Sequence, residues 1–410
     1  MESNLNAILS IISIFAAIAI GNLRRINIGL ISIALAFLTG FLIFKIPATE
    51  IVAGWPLNLF FVLFGMTLLF GIARINGTLE LLAHKTVELT VGRIWLIPVI
   101  FFLLSGFLAS LGPGNIATCA LILPIAMTIG SFYKIPTLLI ATMVIAGANA
   151  GGLSPLAPTG IIAESLISKQ GFNISMRIFY EQVIVQTLFA IILFFILKGY
   201  KLKNDTTIKT TTLEPFKKDQ LITLLVILMV VLGIILGKWN IGLTAFAGSS
   251  ILIFMGVVNE KKAIESVPWT TILLVCGVTV LVKVSENAGG IDLLSKILSV
   301  LMSSETVAPL MAFTGGLFSL FSSASGVVMP TLIPTVPHLV AETGGEPSRI
   351  ISAIIVGAHM VTNSPISTLG ALTLASVGSD VDKTKLFNRL FIVGISGVFF
   401  AAFVFFVGIV

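Results

Sequence analysis

Four short stretches hold the residue types from which a binding site inside an apolar protein can be built. Gly112-Pro113-Gly114-Asn115 and Ser322-Ser323-Ala324-Ser325-Gly326 each interrupt a long apolar run, and a further apolar segment follows each of them. Two others, residues 147–160 and 357–370, begin inside an apolar segment and break it with glycine and proline. At a constant offset of 210 residues, Gly147, Ala148, Ser154, Pro155 and Gly160 recur as Gly357, Ala358, Ser364, Pro365 and Gly370. A backbone that leaves the helix in an apolar medium exposes amides and carbonyls, which are tolerated only where protein or a watery cavity satisfies them. The helix expected after each tip offers its free N-terminal amides to an anion. Asn115, Thr118, Ser323 and Ser325 add short neutral donors and acceptors. Carbonyls freed between Gly147 and Ser154, and between Gly357 and Ser364, can coordinate a cation such as Na⁺. The set suits an anion beside a cation. Small residues also let helices pack closely, which is the simpler reading of any isolated glycine; four breaks in two matched pairs favour a site.

The elements that must position these residues belong to a membrane. With 57% hydrophobic and 10% charged residues and a mean hydropathy of +1.11, the chain has too little polar surface to wrap a water-soluble core. Its formal charge of +6 is spread between apolar stretches, which reads as topology and not as nucleic-acid binding. Cys119 and Cys276 both lie in apolar segments, far apart, and read as small buried hydrophobes. The first apolar run follows Glu2 and no basic residue, so it is expected to be a retained helix and not a signal peptide.

Apolar runs of spanning length place helices near 7–23, 27–45, 56–73 and 177–198, with an amphipathic stretch at 76–90, a broken pair over 94–131 and an interrupted segment over 137–167. After a lysine- and threonine-rich linker the order repeats: 220–237, 241–258, 269–284, amphipathic 291–302, a broken pair over 306–340, an interrupted segment over 349–377 and a last helix near 387–409. At an offset of 212, Gly65, Thr67, Leu69, Gly77, Leu81 and Leu82 match Gly277, Thr279, Leu281, Gly289, Leu293 and Leu294. The expected fold is therefore an all-α polytopic membrane protein of two inverted-topology repeats, 1–198 and 220–410, joined by a cytoplasmic linker, 199–219. Each repeat has five crossings, a re-entrant hairpin and a broken helix.

Charge bias supports that topology. With the linker cytoplasmic, Arg24, Arg25, Arg74, Lys85, Arg93, Lys134, Lys198, the five linker lysines, Lys261, Lys262, Lys383, Lys385 and Arg389 fall inside, which is 17 of 24 basic residues. Both termini are then outside, in a multi-pass protein of the plasma (inner) membrane. Ionisable residues inside apolar segments are costly and often functional. Glu164 and Glu181 can carry a coupling proton or lie at the outer interface. His359, standing where Asn149 stands in the first break, can titrate near neutrality or serve as a packing group. His338 and His84 read as interfacial, and Lys283 and Glu286 as snorkelling at a helix end.

No nucleotide-binding glycine loop, His-Glu-x-x-His or intramembrane aspartate pair is present, so no enzyme site competes. The expectation is a secondary transporter of a small organic anion, with no cofactor beyond Na⁺ or H⁺ as coupling ion and no nucleic-acid partner. The alternatives are an inorganic ion exchanger of the same fold, such as a sodium/proton antiporter or an arsenite carrier, and a membrane receptor that binds without moving its ligand.

Gly114-Asn115-Ile116-Ala117-Thr118, followed by Leu121-Ile122-Leu123-Pro124, resembles the Ser-Asn-Thr hairpin motif of the divalent anion/sodium symporters of the ion transporter superfamily. Residues 152–160 are similar to the corresponding segment of malonate-carrier-like permeases. The resemblance implies a homodimer of scaffold and transport domains and elevator-type movement. It also implies that a dicarboxylate meets the tips at Gly114, Asn115, Ile116, Ser325 and Gly326 and the breaks at Thr159, Asn363, Ser364, Pro365 and Thr368. Cations are then implied at Ser110, Asn115, Gly147 and Gly151, and at Ser322, Ser325, Gly357 and Val361. Gly114 and Ile116 stand where the motif has serine and threonine, and Ala324-Ser325-Gly326 lacks its asparagine.

Overall fold

The computed structural model describes residues 2–88, 93–202, 215–378 and 381–410, and every regular element among them is helical. The first half comprises α1 (Glu2–Arg24), α2 (Ile28–Leu35) with a π-helical continuation to Ile43, α3 (Ala48–Ala53), α4 (Leu57–Ile75), α5 (Thr78–Glu88), α6 (Leu96–Leu111), α7 (Gly114–Phe132), α8 (Thr137–Gly152), α9 (Pro158–Lys169) and α10 (Ser175–Ile196). The second half begins with α11 (Lys218–Ile235), α12 (Ile241–Phe254), α13 (Glu260–Glu265), α14 (Trp269–Asn287), α15 (Gly290–Ser299) and α16 (Val307–Phe321). A π turn at Ala324–Val328 leads to α17 (Met329–Leu332) and α18 (Val336–Thr343), followed by α19 (Pro347–Met360), α20 (Thr368–Ser376) and α21 (Lys383–Phe406). Eight helical stretches among the described residues are long and apolar enough to cross a membrane. Most of the expected linker, residues 203–214, lies outside the described residues, as does the side chain of His84.

Each apolar run becomes a helix because a membrane core leaves no other partner for its backbone. The ends follow local chemistry. The side chains of Asn27, Asn240 and Asp382 cap α2, α12 and α21 by accepting a hydrogen bond from an amide of the first turn. Arg25, Lys45, Lys134, Lys198 and Lys238 take left-handed backbone angles just past helix ends, where a positive charge also favours the C-terminal dipole. The helices α3 and α13 are not expected from the sequence. Six residues are too few for a 3.6-residue period to stand out, and Asn259 at the start of α13 is visible only once its side chain is seen to cap Lys262.

The two halves pack alike at the offsets read from the sequence. A Cβ on Gly147 would fall 2.1 Å from the Phe102 carbonyl oxygen, and one on Gly357 2.0 Å from that of Ala312, so α8 presses on α6 as α19 presses on α16. Gly65 and Gly277 exchange partners between halves: a Cβ on Gly65 would meet the Gly242 oxygen at 2.5 Å, and one on Gly277 the Gly29 oxygen at 2.3 Å. Thus α4 crosses α12 while α14 crosses α2.

Both helix breaks are also the same loop. The amide of Ser154 donates to the Gly151 carbonyl at 3.0 Å, and that of Ser364 to the Val361 carbonyl at 2.8 Å. Ala157 and Ser367 then donate to the carbonyls of Ser154 and Ser364, each at 2.9 Å, and Gly160 and Gly370 seat α9 and α20 against those serines. The breaks start later than the glycines suggest. Helix α8 runs to Gly152 and α19 to Met360, so Gly147, Gly151, Gly357, Asn149 and His359 are all helical. Their glycines mark close helix crossings there, and unwinding begins only at Leu153 and Val361.

Candidate functional site at the first hairpin tip

The first tip is tight. Gly112 and Gly114 have φ of +149° and +73°, angles that side chains rarely adopt, and a Cβ on Gly112 would fall 1.9 Å from the Phe70 ring of α4. The chain reverses in two residues, and α7 starts at Gly114 with its first-turn amides facing the turn. The Asn115 side-chain oxygen accepts from the Ile116 amide at 2.9 Å, which frees its Nδ2 to donate to Asn149 Oδ1 at 3.0 Å. Asn149 in turn donates to Thr362 Oγ1 at 2.6 Å, and Thr362 donates to the His359 carbonyl at 2.9 Å. One chain of hydrogen bonds therefore joins the first tip, the last turn of α8 and the second break. All four residues are buried.

A cavity of about 160 Å³ opens beside this tip. Gly114, Asn115, Ile116, Thr159 and Ser325, five of the residues expected to meet an anion, line it together. That volume is far below the roughly 300–1,000 Å³ of drug-sized sites, which fits a small solute. Thr118, 1% exposed, also lines the cavity, and its hydroxyl has no hydrogen-bond partner. A buried hydroxyl without a partner costs free energy unless a ligand or water supplies its hydrogen bond. Arg74, at the end of α4, is the one charged residue on the wall among the described residues; Thr67 and Thr271 add hydroxyls.

The structure separates the remaining expected residues from this cavity. Asn363, Ser364 and Pro365 are buried, Ser364 beneath Gly394 of α21, while Thr368 is exposed on α20, which packs on α7. Gly326 abuts Leu274. Among the expected cation ligands, Ser110 and Ser322 donate to the carbonyls of Phe107 and Phe318 one turn earlier in their own helices. The carbonyls of Gly151 and Val361 accept turn hydrogen bonds.

The second tip differs from the expected helix N-terminus. Ser323 Oγ accepts from the Gly326 amide at 3.1 Å, and its carbonyl takes the amides of Val327 and Val328, so this segment opens with a π turn where α7 opens as an α-helix. Pro330, Pro334 and Pro337 keep the following segment from forming one regular helix.

A second cavity, about 1740 Å³, lies along the same helices: it touches Leu57 to Val62 of α4, Ile161 to Lys169 of α9, and Thr279 to Glu286 of α14. Lys283 and Glu286 pair at 3.0 Å on its wall, and Glu164 and Lys169 line it as well. Glu181 is 8% exposed and bound by Arg177 at 2.8 Å, because Arg177 reaches forward one turn along α10 and also across to Glu346. A hydrogen bond from Ser348, then that from Arg177, holds the Glu346 carboxyl below the usual range. His338 pairs with Asp292 at 2.7 Å, and His359, fully inside, binds its own helix through Nδ1 and the Ile355 carbonyl at 2.7 Å.

Arg74, Thr67, Ser266 and Thr271 are polar wall residues that the sequence did not mark as site residues. An arginine at a helix end reads as topology, and nothing in the sequence brings α4 to the tip.

Comparison with known proteins agrees with this architecture. The family model for the N-terminus of the dicarboxylate carrier protein MatC matches residues 1–152, and that for the anaerobic C4-dicarboxylate membrane transporter matches residues 219–409. An uncharacterized transporter of Mycobacterium bovis and one of Mycobacterium tuberculosis are each 24% identical over 306 residues, covering 71% of this chain and 70% of theirs. The YdaH transporter of Alcanivorax borkumensis shares the fold with a TM-score of 0.57 at 14% identity, covering 88% of this chain and 87% of that one. These matches place the chain among multi-span membrane transporters, not enzymes.

Proposed function

We propose that this protein is a secondary transporter of a small dicarboxylate, coupled to Na⁺ or H⁺. The observation that carries the reading is the first tip: the N-terminus of α7, Asn115 and the unpartnered Thr118 hydroxyl converge on one small cavity with Thr159 and Ser325. Such a set binds an anion without needing a buried lysine. The two family models name dicarboxylates as the cargo of the proteins they describe, which supports the same substrate class here.

In this reading the halves are inverted repeats, and each tip is a re-entrant hairpin. The reciprocal crossings of α4 with α12 and α14 with α2 support a pseudo-twofold arrangement of that kind. Those four helices form the scaffold, and the hairpins with α8, α9, α19 and α20 form the part that moves in an elevator within a homodimer. The termini lie outside the plasma membrane.

A thermal-shift screen of the purified protein with malonate, succinate, malate and citrate, each with and without Na⁺, tests the substrate. Stabilisation by at least one dicarboxylate is expected, since a ligand bound only by the folded state raises apparent stability. No shift with any of them sinks the reading. Replacing Na⁺ by K⁺ or choline at fixed pH stops uptake if Na⁺ couples; dependence on the pH gradient identifies H⁺ instead.

A further inference from the structure

Helix α4 brings a charge to the anion cavity from outside the hairpin. Phe70 of α4 packs on the tip, against Gly112, and Arg74 follows it by four residues, on the same face of the helix one turn along. Thr67, Phe70, Gly71 and Arg74 all line the cavity, so this face of α4 forms one wall while Asn115 and Thr118 of α7 form another. The Arg74 guanidinium is exposed and donates one long hydrogen bond, 3.4 Å, to the Ser266 carbonyl. Among the described residues no carboxylate lies within ion-pair distance of it. A guanidinium has five donors in a fork that matches a carboxylate, and nearly all of them are left open here.

We propose that Arg74 reads the second charge of the transported anion. One carboxylate meets the α7 amides with Asn115 and Thr118, and the other is met by Arg74 across the cavity. The inference rests on the dicarboxylate reading above and adds to it the reason a dianion is chosen over a monoanion of the same shape. Because Arg74 belongs to α4 while Asn115 and Thr118 belong to α7, the second contact exists only while the tip lies against Phe70. Arg74 thus selects charge in this arrangement of the helices and releases it when the tip leaves α4.

The test pairs a charge deletion in the protein with one in the ligand. Binding of succinate and of its monoamide, succinamate, is measured on full-length protein for the wild type, Arg74→Gln and Arg74→Lys. Wild type is expected to prefer succinate. Arg74→Gln should weaken succinate binding by about tenfold or more while leaving succinamate unchanged, so the preference collapses. Arg74→Lys, which keeps the positive charge that topology requires, should restore part of the preference. Equal weakening of both ligands, or no change in either, overturns the role of Arg74 while leaving the dicarboxylate reading intact. If wild type binds neither succinate, malonate nor malate, the dicarboxylate reading fails and this inference fails with it.

Discussion

The two helix breaks are the same loop built twice, yet they carry different chemistry at one matched position. Residue 149 is asparagine and residue 359 is histidine. Asn149 has a donor and an acceptor pointing away from its own helix, and it uses them to hold Asn115 on one side and Thr362 on the other. His359 spends Nδ1 on the carbonyl of Ile355 in its own helix. The tips differ as well: in the first, α7 starts at Gly114 beside a cavity with the Ile116 amide bonded to Asn115, and the second folds its amides into a π turn around Ser323. The first half therefore supplies the polar centre, and the second half steadies it through Thr362 and adds Ser325. Matched backbones do not imply matched roles.

The largest effect expected from this asymmetry is at the tips. Asn115→Ala should lower uptake by about 10- to 100-fold while the protein still inserts, because it removes a polar group from the cavity wall and strands Asn149. Ser325→Ala should cost much less, and equal losses in paired uptake assays would break the comparison.

Stability should respond symmetrically instead. Gly147→Ala and Gly357→Ala each force a methyl group onto a backbone oxygen, with costs of about 1–3 kcal/mol apiece, read as matching drops in the thermal midpoint in detergent. A drop confined to one of them would show that the halves do not pack alike.

A smaller effect is expected for Thr362→Val, which removes the link between the halves at Asn149. The loss is about 1 kcal/mol, and Thr362→Ser should retain most of the stability in the same assay.

The smallest effect concerns the start of α19. Its Glu346 carboxyl sits below its ordinary value of 4.5, so its contribution to stability is complete above that pH and is lost as pH falls through the depressed folded value. The matched position before α8 is Pro136, which cannot titrate. Acid should therefore loosen the α19 entry alone, seen as faster hydrogen exchange there, and Glu346→Gln should remove that pH dependence.

Much of the fold was legible in the sequence because membrane helices announce themselves locally. Spanning apolar runs, basic helix ends and the glycine–proline breaks located the long helices to within a few residues. The glycines matched at offsets of 210 and 212 were read as breaks or repeat marks, and the structure places them at close backbone crossings in both halves. Gly114, Asn115, Ile116, Thr159 and Ser325 line one cavity, whereas Asn363, Ser364, Pro365 and Thr368, which the resemblance implies, do not line it.

Composition and spacing by themselves determined that this is a helical membrane protein with two matched halves and a small-residue tip before α7, because hydropathy and turn chemistry act over a few neighbouring residues. Which groups face one another was decided only by the tertiary structure. The reach of Asn149 to Thr362, the unpartnered hydroxyl of Thr118 and the approach of Arg74 to the tip depend on how helices cross. Crossing is set by contacts between residues that the chain keeps far apart.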